Sequence, residues 1–167
     1  MKQKILIANG GGDCPGLNAV IRGVTKAAKN AGSKWQVWGS IEAFNGVLND
    51  PVELVKLNTK KTAGIHVKGG TILKTTNRNN PLEYPVSQPD GSIERVDRTP
   101  ELAGKIRDLG FHAVINVGGD GSQKISQALH EQGINIVGVP KTIDNDLAAT
   151  DITFGFSTAV QIATDSF

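Results

Sequence analysis

Ala113-Val114-Ile115-Asn116-Val117-Gly118-Gly119-Asp120-Gly121-Ser122 is the stretch whose reading decides the fold. A short, largely apolar run of the kind that forms a buried strand ends in two glycines, an acid and a third glycine. Gln123 to Gln132 then reads as a helix. Strand, glycine turn and helix in immediate succession are the unit of a parallel sheet with crossover helices. In such sheets the ligand site lies outside the carboxyl ends of the strands. Glycine lets backbone N–H groups approach a phosphate closely, and the helix N-terminus adds a favourable dipole.

Working outward, the same order recurs at the N-terminus. Ile5-Leu6-Ile7-Ala8 reads as a buried strand, Gly10 to Gly16 as a glycine-rich loop, and Leu17 to Ala31 as a helix. In that helix Val20, Val24, Ala27 and Ala28 give an apolar stripe, Arg22, Lys26 and Lys29 face water, and Gly32 is the stop. Trp35 to Ile41 reads as a strand, 42–50 as loop, 52–57 as a short extended piece, and 59–67 is ambiguous. For 68–78 the residues suggest a glycine turn, a short strand and a polar loop. Pro81, Pro85, Pro89 and the Asp90-Gly91 turn make 79–98 a surface excursion that can form a small hairpin. Thr99 with Pro100 then opens a helix to Leu109, which Gly110 ends. Ile134 to Val139 reads as a strand, and a last helix begins near Phe156 without a stop signal. The expected architecture is α/β: a doubly wound, mostly parallel sheet with helices on both faces. Residues 1–139 form a donor-binding lobe in this reading, and residues 140–167 carry a catalytic loop and the start of a second lobe.

Composition excludes several function classes. Lys plus Arg number 18 against 16 Asp plus Glu, a formal charge of +2. That near balance argues against nucleic-acid or membrane-surface binding driven by bulk charge. No apolar run is long enough to span a bilayer, and the N-terminus lacks the pattern of a signal peptide. A single cysteine, Cys14, cannot form an internal disulfide, which fits a cytoplasmic protein. His66, His112 and His130 are scattered and read as structural or surface residues. Trp35 and Trp38 read as sheet packing.

Three loops carry the chemistry. In Gly118-Gly119-Asp120-Gly121-Ser122, Asp120 suits Mg²⁺, which needs hard oxygen ligands. Ser122 can cap the following helix and donate to a phosphate. Gly10-Gly11-Gly12-Asp13-Cys14-Pro15-Gly16 is a second cradle, matching neither the P-loop nor the dinucleotide pattern. Pro140-Lys141-Thr142-Ile143-Asp144-Asn145-Asp146 supplies two acids; an Asx turn is the plain alternative to a catalytic role. In the sharper reading Asp144 takes the proton of an acceptor hydroxyl, while Thr142 and Asp146 orient acceptor or metal. Arg78 and Lys141 are cations near these loops; each reads as a solvated surface charge, the usual case, with Arg78 alternatively stabilising charge on the transferring group. Together the loops read as phosphoryl transfer.

The Gly-Gly-Asp-Gly element by itself also resembles NAD kinases and lipid kinases. Gly11-Gly12-Asp13-x-Pro15-Gly16-x-Asn18, Gly69-Gly70-Thr71, Gly118 to Ser122, Pro140 to Asp146 and Gly155-Phe156-x-Thr158-Ala159, in this order, resemble the N-terminal half of the 6-phosphofructokinases. The resemblance runs along essentially the whole chain and is weakest over 79–98. It implies transfer of a phosphoryl group to the 1-hydroxyl of fructose 6-phosphate, with Asp144 as base, Asp120 on Mg²⁺, and Gly11, Gly12, Gly119, Gly121 and Ser122 lining the donor phosphates. Arg78 corresponds to a transition-state arginine, one place after Asn77. Gly121 resembles ATP users, since an Asp there would exclude the nucleotide; Lys141 resembles pyrophosphate users, which implies a lysine in contact with the donor phosphate. Gly121 carries more weight, so ATP is the expected donor and pyrophosphate the alternative. Members of the family are longer than this chain and form homo-oligomers. The expectation is therefore a truncated lobe that keeps donor and catalytic loops but turns over slowly, if at all; a binding module or inactive subunit is the remaining alternative.

Overall fold

The computed structural model describes residues 2–167. Strand β1 (Gln3–Asn9) leads into helix α1 (Leu17–Asn30), then β2 (Trp35–Ser40), a short helix α2 (Asn45–Leu48) and β3 (Leu54–Leu57). A hairpin of β4 (Tyr84–Ser87) and β5 (Ile93–Val96) precedes α3 (Thr99–Asp108). The chain continues through β6 (Phe111–Gly118), α4 (Asp120–Glu131), β7 (Ile136–Thr142), β8 (Phe154–Gly155) and α5 (Phe156–Asp165).

The main sheet has the order β3-β2-β1-β6-β7-β8. Every pairing is parallel except β2 with β3. The β1 crossover goes to one side and the β6 crossover to the other, so the strand order reverses between β1 and β6. In an open sheet that is the crevice where ligands bind.

Alternation along the strands sorts the core into two layers. Leu6, Ala8 and Val114 pack with Leu102, Ala103 and Ile106 of α3 and Leu129 of α4. Ile7, Val37 and Val117 pack with Leu17, Val20, Ile21 and Ala28 of α1. Helices thus cover both faces, as the alternation of apolar runs requires. Each fully buried Leu or Ile contributes roughly 1.5–3 kcal/mol.

Several local readings need correction. The α1 stripe centres on Leu17 and Ile21, while Ala27 is exposed. Arg22 does not simply face water: its guanidinium donates to the Thr59 carbonyl at 2.9 Å. Residues 42–50 contain α2, whose Val47 and Leu48 are buried. No strand forms in 68–78; Lys74 takes a φ of 56° and its N–H closes a turn onto Thr71. Thr99 is inside α3 rather than its cap, and its N–H is satisfied by the Asp97 carboxylate at 2.8 Å. Strand β7 runs past Val139, so Pro140, Lys141 and Thr142 lie on the strand and not in a loop.

Candidate active site

Asn9 and Val117 are register partners at the carboxyl ends of β1 and β6. Gly10 extends the pairing by donating its N–H to the Val117 carbonyl at 2.8 Å. The two glycine loops therefore leave the sheet side by side. Gly11, at φ 84°, turns the first loop away and donates to the Thr76 carbonyl at 2.9 Å. Thr75 fixes the same turn, its hydroxyl donating to the Asn9 and Gly11 carbonyls at 3.1 and 2.6 Å.

The second loop enters α4 directly. Gly119 is the N-cap residue and Ser122 lies buried in the first turn, so Ser122 does not cap the helix as expected. Its side chain instead fills the space above Gly10 and Gly118. A Cβ on Gly118 would stand 2.5 Å from the Ser122 Cβ and 2.9 Å from the Gly10 carbonyl oxygen. Asn116 secures this turn by donating to the Ser122 carbonyl at 2.8 Å and the Ser126 hydroxyl at 2.9 Å. Gln123 reaches back to the Gly118 carbonyl at 2.9 Å.

Between the loops opens a cleft of about 200 Å³. Gly10, Gly11 and Gly119 to Ser122 form its floor. Ala43 to Asn45, Thr76 to Pro81, and Ile125 form its walls. The floor unites Gly11, Gly119, Asp120, Gly121 and Ser122, and Arg78 stands exposed on the rim. Gly121 has no positive φ, and a Cβ added there meets nothing within 4 Å. Neither backbone nor packing demands glycine at that position, so its lack of a side chain leaves room for something else.

Asp120 lies at the N-terminus of α4, largely exposed, with its carboxylate 2.8 Å from the Lys124 ammonium. Among the described residues no group of three or more His, Cys, Asp and Glu converges to hold a metal ion. One exposed carboxylate beside a glycine-lined cleft nonetheless fits Mg²⁺, which commonly takes one or two carboxylates with substrate phosphates and water.

Lys141, Thr142, Asp144 and Asp146 form no part of the cleft floor. Lys141 is buried, and its ammonium donates to the Gly12 carbonyl at 2.7 Å. Burial lowers its pKa below 10.5, against the opposing pull of Cys14 and Asp13. Burial likewise pushes the Cys14 thiol above 9.0; Lys141 opposes this, and Asp13 and Asp144 add to it. Asp144 is exposed. Its N–H donates to the Thr142 hydroxyl at 3.1 Å, and that hydroxyl lies 3.4 Å from its carboxylate. Asn145, at φ 53°, holds the turn by accepting the Thr153 N–H at 2.9 Å. The loop is thus opened by a hydroxyl-headed turn at Thr142 rather than by an Asx turn, and it displays an acid. Asp146 is exposed.

Sequence reasoning missed Asn116 and, apart from Arg78, the walls of the cleft. A polar residue inside an apolar run was the available signal for Asn116. For 43–45 no signal existed: Glu42 and Ala43 take positive φ, and neither is a residue type that favours it. His112 tilts against Trp35 with ring centroids 5.6 Å apart, a packing role. No helix among the described residues is long and apolar enough to cross a membrane.

Known proteins share this fold. The phosphofructokinase family profile matches residues 4–167. The chain is 43% identical, over 98% of its length, to a protein named ATP-dependent 6-phosphofructokinase 2 from Clostridium perfringens (strain 13 / Type A), and 44% identical to ATP-dependent 6-phosphofructokinase 1 of Synechocystis sp. PCC 6803, also over 98% of its length. It spans 44% of the length of each of these relatives. Among solved structures, the T-state phosphofructokinase of Pichia pastoris superposes with a TM-score of 0.74 at 28% identity, over 93% of this chain and 17% of that one. The pyrophosphate-dependent phosphofructokinase of Marinobacter aquaeolei superposes at 0.75 and 24% identity, over 98% of this chain and 40% of that one, a likeness of fold alone. Matching along nearly its whole length, the chain belongs to the phosphofructokinase family.

Proposed function

We propose that this chain carries the donor side and the general base of a 6-phosphofructokinase, which moves the γ-phosphoryl of ATP to the 1-hydroxyl of fructose 6-phosphate in the cytoplasm. The observation that carries the reading is the cleft between the two glycine loops, lined by Gly121, where an added Cβ would meet nothing within 4 Å. Phosphoryl transfer asks the protein mainly for positioning, charge neutralisation and a base. Backbone N–H groups of Gly119 and Gly121, with the α4 N-terminus, supply the cradle; Gly11, its N–H held by the Thr76 carbonyl, and Gly12 form the facing loop, and the Ser122 side chain shapes the floor. Asp120 would hold Mg²⁺, which neutralises donor charge when bound; its exposed contact with Lys124 is weak enough to give way. Arg78 on the rim meets charge on the transferring group. Asp144 accepts the proton of the acceptor hydroxyl, Thr142 orients that carboxylate, and Asp146 supports acceptor or metal. Residues 1–139 serve the donor, and residues 140–167 begin the acceptor side; the full-length protein is a homo-oligomer in this reading.

Relatives bearing the ATP-dependent name support ATP over pyrophosphate, as does the empty space beside Gly121. A second reading, donor binding without turnover by this polypeptide alone, is favoured by the exposure of Asp144 and Asp146 outside the cleft. A transfer assay with γ-labelled ATP and fructose 6-phosphate, on the wild type and on Asp144→Asn, separates them. A rate that falls about 10²–10⁴-fold in the variant with donor binding retained supports the kinase reading. Donor binding without label transfer by the wild type supports the second.

A further inference from the structure

Lys141 lies among donor- and acceptor-side residues yet lines no part of the cleft. The side chain is 4% exposed and leaves β7 to pass beneath the first glycine loop. Its ammonium donates to the Gly12 carbonyl at 2.7 Å and lies 3.6 Å from the position of a Cβ on Gly11. Its own carbonyl stands 3.6 Å from the Cβ position of Gly119, in the other loop. One residue therefore touches both donor loops, and its chain neighbour is Thr142, the partner of Asp144.

From this we infer that Lys141 is a positioning residue: it ties the Gly10–Gly12 donor loop to the strand that carries the acceptor loop, and so sets where the transferred phosphoryl stands relative to Asp144. The inference rests on the kinase reading above. A charge-assisted hydrogen bond made by a buried ammonium is among the stronger ones available, and here it joins segments far apart in sequence. Buried Lys is rare unless it is paired, which calls for a reason beyond general solubility. Holding reacting groups in a fixed relation is itself a large part of catalysis, and a misplacement near 1 Å can cost about 10²-fold in rate. Lys141 reaches the donor only through Gly12; the ammonium is already committed to that carbonyl.

Two variants of the chain test this. Lys141→Met keeps the length and removes the donor; Lys141→Arg keeps a donor for the Gly12 carbonyl. Without any ligand, amide exchange over 9–17 should quicken about tenfold in Lys141→Met, while 3–8 stays as in the wild type, and Lys141→Arg should restore much of the protection. This readout needs no kinase activity, so it stands even if the functional reading fails. With substrates, Lys141→Met should lower kcat at least about 30-fold while ATP–Mg²⁺ affinity changes less than about threefold, and Lys141→Arg should recover part of the rate. Unchanged exchange over 9–17 would overturn the inference. So would a donor affinity weakened tenfold or more at unchanged kcat, since Lys141 would then be a donor ligand and the kinase reading would survive. Absence of any ATP or pyrophosphate binding by the wild type, with exchange quickened as expected, would overturn the kinase reading and leave the tie between loop and strand in place.

Discussion

Gly118 and Ser122 fit together only because Gly118 has no side chain. A Cβ there would stand 2.5 Å from the Ser122 Cβ and 2.9 Å from the Gly10 carbonyl oxygen, and the latter is backbone that cannot rotate away. Ser122 and its turn thereby lock the two glycine loops against each other at the point where the strand order reverses.

Gly118→Ala should therefore destabilise the protein by about 1–3 kcal/mol, the usual cost of overpacking a tight site. Chemical denaturation measures it through a shift in midpoint at unchanged slope. Donor affinity should fall as well, because the loops can no longer close to the same separation.

Gly121 behaves differently. Its Cβ direction is open and its backbone is ordinary, so Gly121→Ala and Gly121→Asp should each leave stability within about 0.5 kcal/mol of the wild type. Gly121→Asp should nevertheless weaken ATP–Mg²⁺ binding at least about tenfold through steric and like-charge exclusion, and weaken pyrophosphate binding less. Parallel thermal melts and titrations check both halves.

Much of this was legible in the sequence, and the reasons differ from place to place. Strands β1 and β6 and helix α1 follow from apolar spacing alone, because both sheet faces are covered and the strands must be continuously apolar. The floor of the cleft follows from the glycines. The walls do not: Phe44 and Pro81 reach the cleft through irregular backbone whose course depends on distant partners, such as Thr76 accepting from Gly11. The direction of β3 was equally hidden, since spacing cannot tell an antiparallel edge strand from a parallel one. Lys141 was readable as a cation near phosphate chemistry, but only its burial and its bond to Gly12 give its role.

Asp120 should control the metal requirement. Asp120→Asn should raise the Mg²⁺ concentration needed for half-maximal donor binding about tenfold, with little change in stability, because the carboxylate is largely exposed and its pair with Lys124 is screened by solvent. Lys124→Ala, which frees the carboxylate, should not raise that requirement. Titrations across Mg²⁺ concentration distinguish the two variants.

Cys14 gives a pH signature. Burial, reinforced by Asp13 and Asp144, holds its pKa above 9.0 despite Lys141. The native state thus binds the thiol proton more tightly than the unfolded chain does. The resulting stabilisation is fully present below pH 9.0 and is lost as pH rises through the higher native value. Stability of the wild type relative to Cys14→Ala should be flat through neutral pH and decline in the alkaline range. Denaturation midpoints from pH 7 to 10.5 measure it; a relative stability that instead rises with pH as 9.0 is approached would mean the thiol pKa is depressed.

The central claim is that the cleft between Gly10–Gly12 and Gly119–Ser122 is built for the phosphates of a nucleotide. Calorimetric titration of the chain with ATP and with pyrophosphate, each with Mg²⁺ and at matched ionic strength, tests it most directly. The account predicts saturable binding of both with ATP the tighter ligand. Pyrophosphate binding more tightly than ATP, or no binding of either, would contradict it.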